Sequence, residues 1–476
     1  MNDISSKKLF IGPRLRRLRR ELGLTQTRMA EELGVSVSYL NLIERNQRPV
    51  TAQLLLRLTE VYDIDLRSLA GEADQRAVVD LSEVLADPLF RELAIPHHEI
   101  VEIAANAPAL GDAVTRLYKA YLDGKRREEN ATRHSDGRDE PAAASEDPVD
   151  TVRDFVQDQR NHFPVLEEAA EAIAAELMVA NADLMTALRE RLREKHGLTV
   201  RVLPVDVMST TLRRFDRHRR QLMVSEMLDS SGRIFAIAYL VGQLEAGALM
   251  DEIIERAPFT ATNTRRLLKV NLTNYMAAAI MMPYGRFFSA ADALGYDIQV
   301  LGARFGASFE QVCHRLTTLS RPSARGVPFF MIRVDSAGNV SKRFSAANFP
   351  FSRYGGTCPL WLLHSTFKNP NHIFTQIVEM PDGARYFTLA RAVTRSISSW
   401  NKAEPEVALA LGCDIKHAAK LVYTRGLDLA APDATPIGIN CRLCERPDCT
   451  QRAMLPYSRA LVVEEHTRAV APFRFK

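Results

Sequence analysis

Three cysteines crowd into nine residues near the end of the chain, Cys441, Cys444 and Cys449 in the run NCRLCERPDC. C-x₂-C-x₄-C spacing lets the first two thiolates grip one metal from a single turn while the third returns to the same site. Thiolates at this density suit zinc or an iron–sulfur cluster, and the spacing alone does not choose between them. A fourth ligand must come from elsewhere; Cys358 in GGTCP leads, with Cys413, His417 and Asp448 as alternatives. Cys313, inside FEQVCHRL, reads as a small buried hydrophobe. The plainer alternative for the whole set is reduced structural thiols, since six cysteines in a chain this long make a poor disulfide framework.

A second constellation is basic. Residues 1–50 hold ten Lys or Arg against five acids, although the whole chain carries a net charge of only +4. A local excess of this kind is what phosphate contacts require. Leu15, Leu18 and Leu22 give a first helix one apolar face, and Thr25 can cap a second over Gln26 to Leu33. Gly34 closes that helix, and Ser36 can cap a third that runs to about Arg45. Ala30, Gly34, Leu40 and Ile43 supply the small and apolar positions of a tight helix crossing. This spacing is that of a helix-turn-helix between about Ile11 and Ala70. Val37, Ser38, Tyr39, Asn41 and Arg45 would then face base edges, while Gln26, Arg28, Arg48 and the helix end at Ser36 would hold phosphates. A helical bundle with a solvated basic face is the plainer alternative.

The segment LTQTRMAEELGVSVSYLNLIERNQRPV resembles the phage-repressor-like (Xre) helix-turn-helix family along the whole motif. That resemblance implies a double-stranded DNA operator, read by a homodimer or higher oligomer on half-sites one helical turn apart.

These groups need a multidomain framework: an all-α helix-turn-helix head, an α+β middle and an α+β C-terminal region. The boundaries expected are 1–75 for the head, 76–123 for a helical coupling and dimerisation segment, 124–150 for a linker, 151–320 for the middle and 321–476 for the C-terminal region. The linker GKRREENATRHSDGRDEPAAASEDPVD is charged and nearly free of large apolar residues. Helix is expected over 81–122, 152–192, 234–249 and 264–282. Strands are expected over 198–203, 221–225, 328–334, 371–380 and 384–392, with a turn at Pro381-Asp382-Gly383. No apolar run reaches the ~18 residues that span a bilayer, and the polar start Met1–Lys8 lacks a secretory core, so a cytoplasmic location is expected.

RIFAIAYLVGQL and TNYMAAAIMMP are similar to a zinc-peptidase-like domain found fused to such heads. Active members carry H-E-x-x-H, with two histidines on zinc and a glutamate activating water. Here those places fall on Tyr239, Leu240 and Gln243, and Val270, Asn271 and Leu272 stand where a third ligand is expected. No catalysis is expected of this site, which leaves either a sensor or a scaffold.

GVPFFMIRVDSAGNVSKRFSAANFPFSRYGGTCPLW, LGCDIKHAAKLVY and PIGINCRLCERPDCTQRA bring the whole chain to resemble the short-chain fatty acyl transcriptional regulator family. The resemblance implies a C-terminal region that senses a short-chain acyl-coenzyme A in carbon metabolism, with an iron–sulfur cluster in some members. Coenzyme A needs basic groups beside an apolar channel. Lys342, Arg343 and Arg353 beside Phe344, Phe349, Phe351, Tyr354, Trp361 and His364 offer both, although a buried aromatic face with solvated cations fits as well. The rival functions are a redox or iron sensor without an acyl ligand and, from another class, a metallopeptidase that processes a repressor.

Overall fold

A computed structural model describes residues 12, 15–16, 19, 24–45, 47–62, 74–93, 95–133, 147–179, 183–346, 349–352, 356–394, 406–430 and 432–475. The contacts divide the chain into two units. The first takes residues 1–122 with the short later pieces 350–354 and 456–460, and the second takes the remainder.

In the first unit the head is built from α1 (Gln26–Glu32), α2 (Val37–Glu44) and α3 (Ala52–Tyr62). Thr25 Oγ1 accepts from Arg28 N at 3.2 Å and Ser36 Oγ accepts from Tyr39 N at 3.1 Å. Each of these caps is worth ~1 kcal/mol. Gly34 adopts φ +63° between the two helices, a conformation that side chains disfavour. Leu15, Met29, Ala30, Leu33, Leu40 and Ile43 are fully buried; Leu18 and Leu22 lie outside the described residues.

The continuous helix expected over 81–122 is broken. It becomes α4 (Asp74–Leu85), a 3₁₀ turn at Pro88–Leu93, α5 (His97–Asn106) and α6 (Pro108–Arg133). Pro88, Pro96 and Pro108 stand at the breaks, where a missing N–H and a fixed φ end one helix and start the next. α6 continues ten residues into the stretch expected as linker. The run KRREE is charged but made of good helix formers, so polarity alone does not stop the helix.

In the second unit the single helix expected over 152–192 becomes α7 (Pro148–Asp158), α8 (Pro164–Val179) and α9 (Leu184–His196). Arg160 and Asn161 both take positive φ, and Pro164 starts the next helix. A three-stranded sheet follows from β1 (Thr199–Leu203), β2 (Arg213–Asp216) and β3 (Gln221–Ser225), with β3 central, parallel to β1 and antiparallel to β2. Then come α10 (Ser230–Glu245), α11 (Gly247–Glu255), α12 (Thr262–Met281), α13 (Tyr284–Ala293), α14 (Ile298–Phe305) and α15 (Phe309–Leu316). α10 and α12 pack closely at Gly242, where an added Cβ would fall 2.8 Å from Met276 Cγ. α10 and α11 are bent by 70° where one helix to Leu249 was expected. Among the described residues no single helix is long and apolar enough to cross a membrane; the bent α10–α11 pair meets that test only together, and α10 is largely buried in the core.

The C-terminal sheet has six strands in the order β5-β4-β8-β7-β6-β9. They are β4 (Phe329–Val334), β5 (Val340–Ser345), β6 (Phe374–Glu379), β7 (Arg385–Thr394), β8 (Glu406–Asp414) and β9 (Thr435–Pro436). All neighbours run antiparallel except β6 and β9. β5 and β8 were not expected. β8 is buried at seven successive positions and so lacks the alternation that marks a half-exposed strand. A last pair, β10 (Leu461–Val462) and β11 (Arg474–Phe475), closes the tail.

Candidate functional site

α2 carries its polar groups outward because Leu40 and Ile43 turn inward against α1. Ser36, Val37, Ser38, Arg45 and Arg48 are exposed, and Tyr39 and Asn41 are half-buried beside them. Arg28 pairs with Glu32 along its own helix at 2.8 Å, and Arg48 Cζ stands 6.0 Å from the Tyr39 ring centroid. The Gln26 amide is engaged inside the head, where it donates to Glu44 Oε2 at 2.8 Å. Arg19 grips the same carboxylate with Nε at 2.7 Å and Nη2 at 3.1 Å. Burial works against the Glu44 charge, but these donors outweigh it and hold its pKa below the ordinary carboxylate range. The Arg19–Glu44 brace joins residues 25 positions apart, which no local spacing announces.

In the middle domain the face of α10 that would carry zinc ligands carries other groups. Tyr239 is almost buried, Leu240 is core and Gln243 is half-buried. The Arg213 guanidinium lies 3.4 Å from the Tyr239 ring centroid, and burial lowers its pKa. A cation therefore covers the face that a zinc ion would share with its first ligand, and the donors present do not fit zinc. α12 places Leu272 in the core; Val270 is exposed, and the Asn271 side chain donates back to Leu267 O at 2.9 Å. The charge that holds this domain lies elsewhere. Arg315 on α15 and Glu167 on α8 are both fully buried and paired at 2.6 and 2.8 Å. Arg315 Nε also donates to Met282 O at 2.9 Å, and the Tyr275 hydroxyl donates to Glu167.

The tail brings Cys358, Cys441 and Cys444 near one another. Burial pushes the Cys358 thiol up, and the two neighbouring sulfurs push the same way. Backbone N–H groups of Gly438 and Leu360 point at Cys358, and Ala453 N donates to Cys441 Sγ at 3.5 Å. Gly438 lies so close to Cys444 that an added Cβ would fall 2.8 Å from its sulfur. Arg452, nearly buried, ties the loop by donating to Cys441 O, Arg446 O and Met454 O at 3.1, 2.6 and 3.4 Å. Cys449 is half-buried on the same loop. Among the described residues no three His, Cys, Asp or Glu side chains already stand at metal-ligand spacing. The donor chemistry nevertheless fits a thiolate-held cluster or zinc: three neighbouring sulfurs, with N–H groups aimed at two of them. Cys413 is different. It is fully buried on β8 between Phe329 and Phe387, and burial pushes its thiol well up. Cys313 is likewise buried, on α15.

Lys342 and Arg343 are successive residues of edge strand β5 and so sit on opposite faces. Lys342 Nζ is 3.4 Å from Glu310, which Arg333 also contacts at 2.6 Å. Arg353 and Tyr354 lie outside the described residues. The aromatic set closes on itself: the Phe330 and Phe349 rings stack at 4.1 Å, with Trp361 and Tyr386 5.4 and 5.0 Å from Phe349. Phe330, Phe349, Trp361 and Tyr386 are buried, so this face is packed core and not an open channel, while Phe344 pairs with Met331 and is buried on the opposite face of the sheet. Trp361 Nε1 donates to Thr388 Oγ1 at 3.3 Å, and His364 Nε2 lies 2.7 Å from Thr357 Oγ1, with its pKa lowered by burial.

Residues 15–69 match a helix-turn-helix family, 193–317 the IrrE N-terminal-like domain, and 318–473 the short-chain fatty acyl coenzyme A regulator C-terminal family. The HTH-type transcriptional regulator RamB of Mycobacterium tuberculosis is 40% identical over 98% of this chain and 99% of its own length. The propionyl-CoA carboxylase regulator of Cereibacter sphaeroides is 38% identical over 98% and 99%. A solved Mycobacterium tuberculosis transcriptional regulator superimposes with TM-score 0.66 at 38% identity, covering 69% of this chain and all of that one. The chain belongs to the short-chain fatty acyl coenzyme A regulator family of helix-turn-helix transcriptional regulators.

Proposed function

We propose that the protein binds an operator through α2 and changes its hold on that operator when a short-chain acyl-coenzyme A binds the C-terminal region. The observation that carries this reading is that one chain joins a complete helix-turn-helix to a region that matches the acyl-coenzyme A regulators across 318–473. Ser38, Tyr39, Asn41 and Arg45 are assigned to base edges, and Arg28, Arg48 and the capped end at Ser36 to phosphates. Gln26 would hold α2 in place through Glu44, and a phosphate contact would have to share its amide. Arg343 and Arg353 are the cations assigned to coenzyme A phosphates, while Lys342 would first have to leave Glu310. Within the first unit, Ser352 Oγ donates to Glu83 on α4 at 2.5 Å.

Cys358, Cys441 and Cys444 would hold an iron–sulfur cluster, with Cys449 as the fourth ligand once the loop closes; zinc is the alternative. Such a group would cross-link the loop and, if it is a cluster, make it sensitive to oxidants. The N–H groups aimed at sulfur favour, as a second reading, a redox-responsive regulator without an acyl ligand. Tyr239, Leu240 and Gln243 speak against a metallopeptidase.

Anaerobic purification with iron, sulfide and zinc analysis, followed by propionyl-coenzyme A titration of the same sample, tests these readings. Iron with sulfide and saturable binding supports the proposal. Iron with no binding leaves the redox reading, and a metal-free protein without binding removes both.

A further inference from the structure

α6 is two-faced. Its inner face is engaged: Gly111 lies against Leu81, Tyr118 Oη donates to Asp87 Oδ2 at 2.7 Å, and the Tyr118 and Phe90 rings are 6.4 Å apart. Its outer face carries Leu110, Ala113, Leu117 and Ala120, all exposed, with Leu110 at 56% and Leu117 at 73%. Their spacing of 3, 4 and 3 is that of the a and d positions of a coiled coil. Leucine holds both a positions and alanine both d positions.

We infer that this seam is the contact between two copies of the chain, and that the two α6 helices run antiparallel. The inference rests on the two-headed DNA-binding reading above, and names the surface that joins the heads. In a parallel pair the layers would be Leu–Leu and Ala–Ala in turn, which cannot all close at one interhelical distance. In an antiparallel pair each a position meets a d position, so Leu117 faces Ala113 of the second copy and Leu110 faces its Ala120. All four layers then have the same combined volume. The same register brings Arg116 to one edge beside Asp112 of the second copy, and leaves Val114 and Tyr121 on the other edge. Both charged residues are exposed and available to pair across the seam. The seam spans about 15 Å at ~1.5 Å per residue. That is short of a standard interface of at least ~1,200 Å², so the pair is weak in the free chain and is completed when two heads occupy adjacent half-sites.

Sedimentation equilibrium of the full chain, alone and on an operator selected from random DNA, provides the test. Leu117→Glu should weaken self-association by at least roughly 30-fold and remove the preference for two half-sites over one, while the melting curve stays unchanged. Mixing the Leu117→Glu chain with an Ala113→Lys chain should restore association, because positions 117 and 113 of the two copies meet only in the antiparallel register and would then carry opposite charges. Undiminished association of Leu117→Glu overturns the seam and leaves the two-headed reading standing, with another face as the interface. Failure of the mixed chains to associate overturns the antiparallel register. A wild-type chain that stays monomeric on a two-half-site operator removes the two-headed reading, and the seam with it.

Discussion

Two helices of this chain sit where chemistry is expected, and they have met opposite fates. α2 in the head exposes Ser38 and Arg45 on a surface held rigid by buried Leu40 and Ile43. α10 in the middle domain turns inward, with Ile237, Ala238, Leu240 and Val241 in the core and a cation stacked where a metal ion would have been. Polar side chains remain on the helix that presents them to a partner. Where the helix is enclosed, apolar packing has taken the place of ligands, and the fully buried charges form the distant Arg315–Glu167 pair. One helix is exposed for the proposed reading of DNA and the other supports the core.

The largest effect that could break this contrast lies at the support. Arg315→Met leaves Glu167 buried without its cation and should lower the stability of the second unit by ~3–5 kcal/mol. A head melting transition, followed separately, should not move. Loss of both together would mean that the two units are not independent supports. Next come Asn41→Ala and Arg45→Ala, each expected to weaken operator binding by ~1–3 kcal/mol with the second unit's melting unchanged. Unaltered sequence preference in both variants would take α2 out of the reading role.

A smaller effect concerns pH. Burial, followed by nearby Arg315 and Arg321 against the pull of Glu167, holds His162 below the ordinary value of 6.5. Protonation therefore favours the unfolded chain. The His162 contribution is complete above pH 6.5 and is lost as pH falls below it, at no more than ~1.4 kcal/mol per pH unit. Melting of the second unit between pH 8 and 5.5 should show this slope, and His162→Phe should flatten it. The smallest effect is at the former ligand face. Gln243→Ala and chelator treatment should each leave the melting of the middle domain within ~0.5 kcal/mol of the untreated wild type. A clear chelator effect there would reinstate a metal.

The head was legible because its signals are local. Thr25, Gly34 and Ser36 mark the helix ends within a dozen residues, and the structure places caps and positive φ where the sequence put them. Both long helices were over-read: Pro88, Pro96 and Pro108 mark the breaks within 81–122, whereas the positive φ at Arg160 and Asn161 leaves no mark in side chains of ordinary helix propensity. β8 escaped notice because burial on both faces removes alternation, and β2 because RRFD looks like solvated loop. The cysteine cluster was legible in part. Spacing pointed to Cys441, Cys444 and Cys449, with Cys358 as the leading fourth ligand, and the fold brings Cys358 to Cys441 and Cys444 from more than 80 residues away. Arg452, which ties that loop through three carbonyls, carries no sequence signature beyond an arginine near cysteines. The aromatic set shows the limit of composition: of the residues that suggested a channel, Phe349 and Trp361 pack on one another and on Phe330 and Tyr386.

The central claim is that an acyl-coenzyme A bound to the C-terminal region changes the grip of the head on DNA. Operator affinity at fixed salt, measured for the full chain with and without saturating propionyl-coenzyme A, tests it most directly. The account predicts a change of about 5-fold or more in either direction, as a coupling free energy of ~1 kcal/mol or above requires, with free coenzyme A producing a smaller change. Identical affinities with ligand demonstrably bound would contradict it.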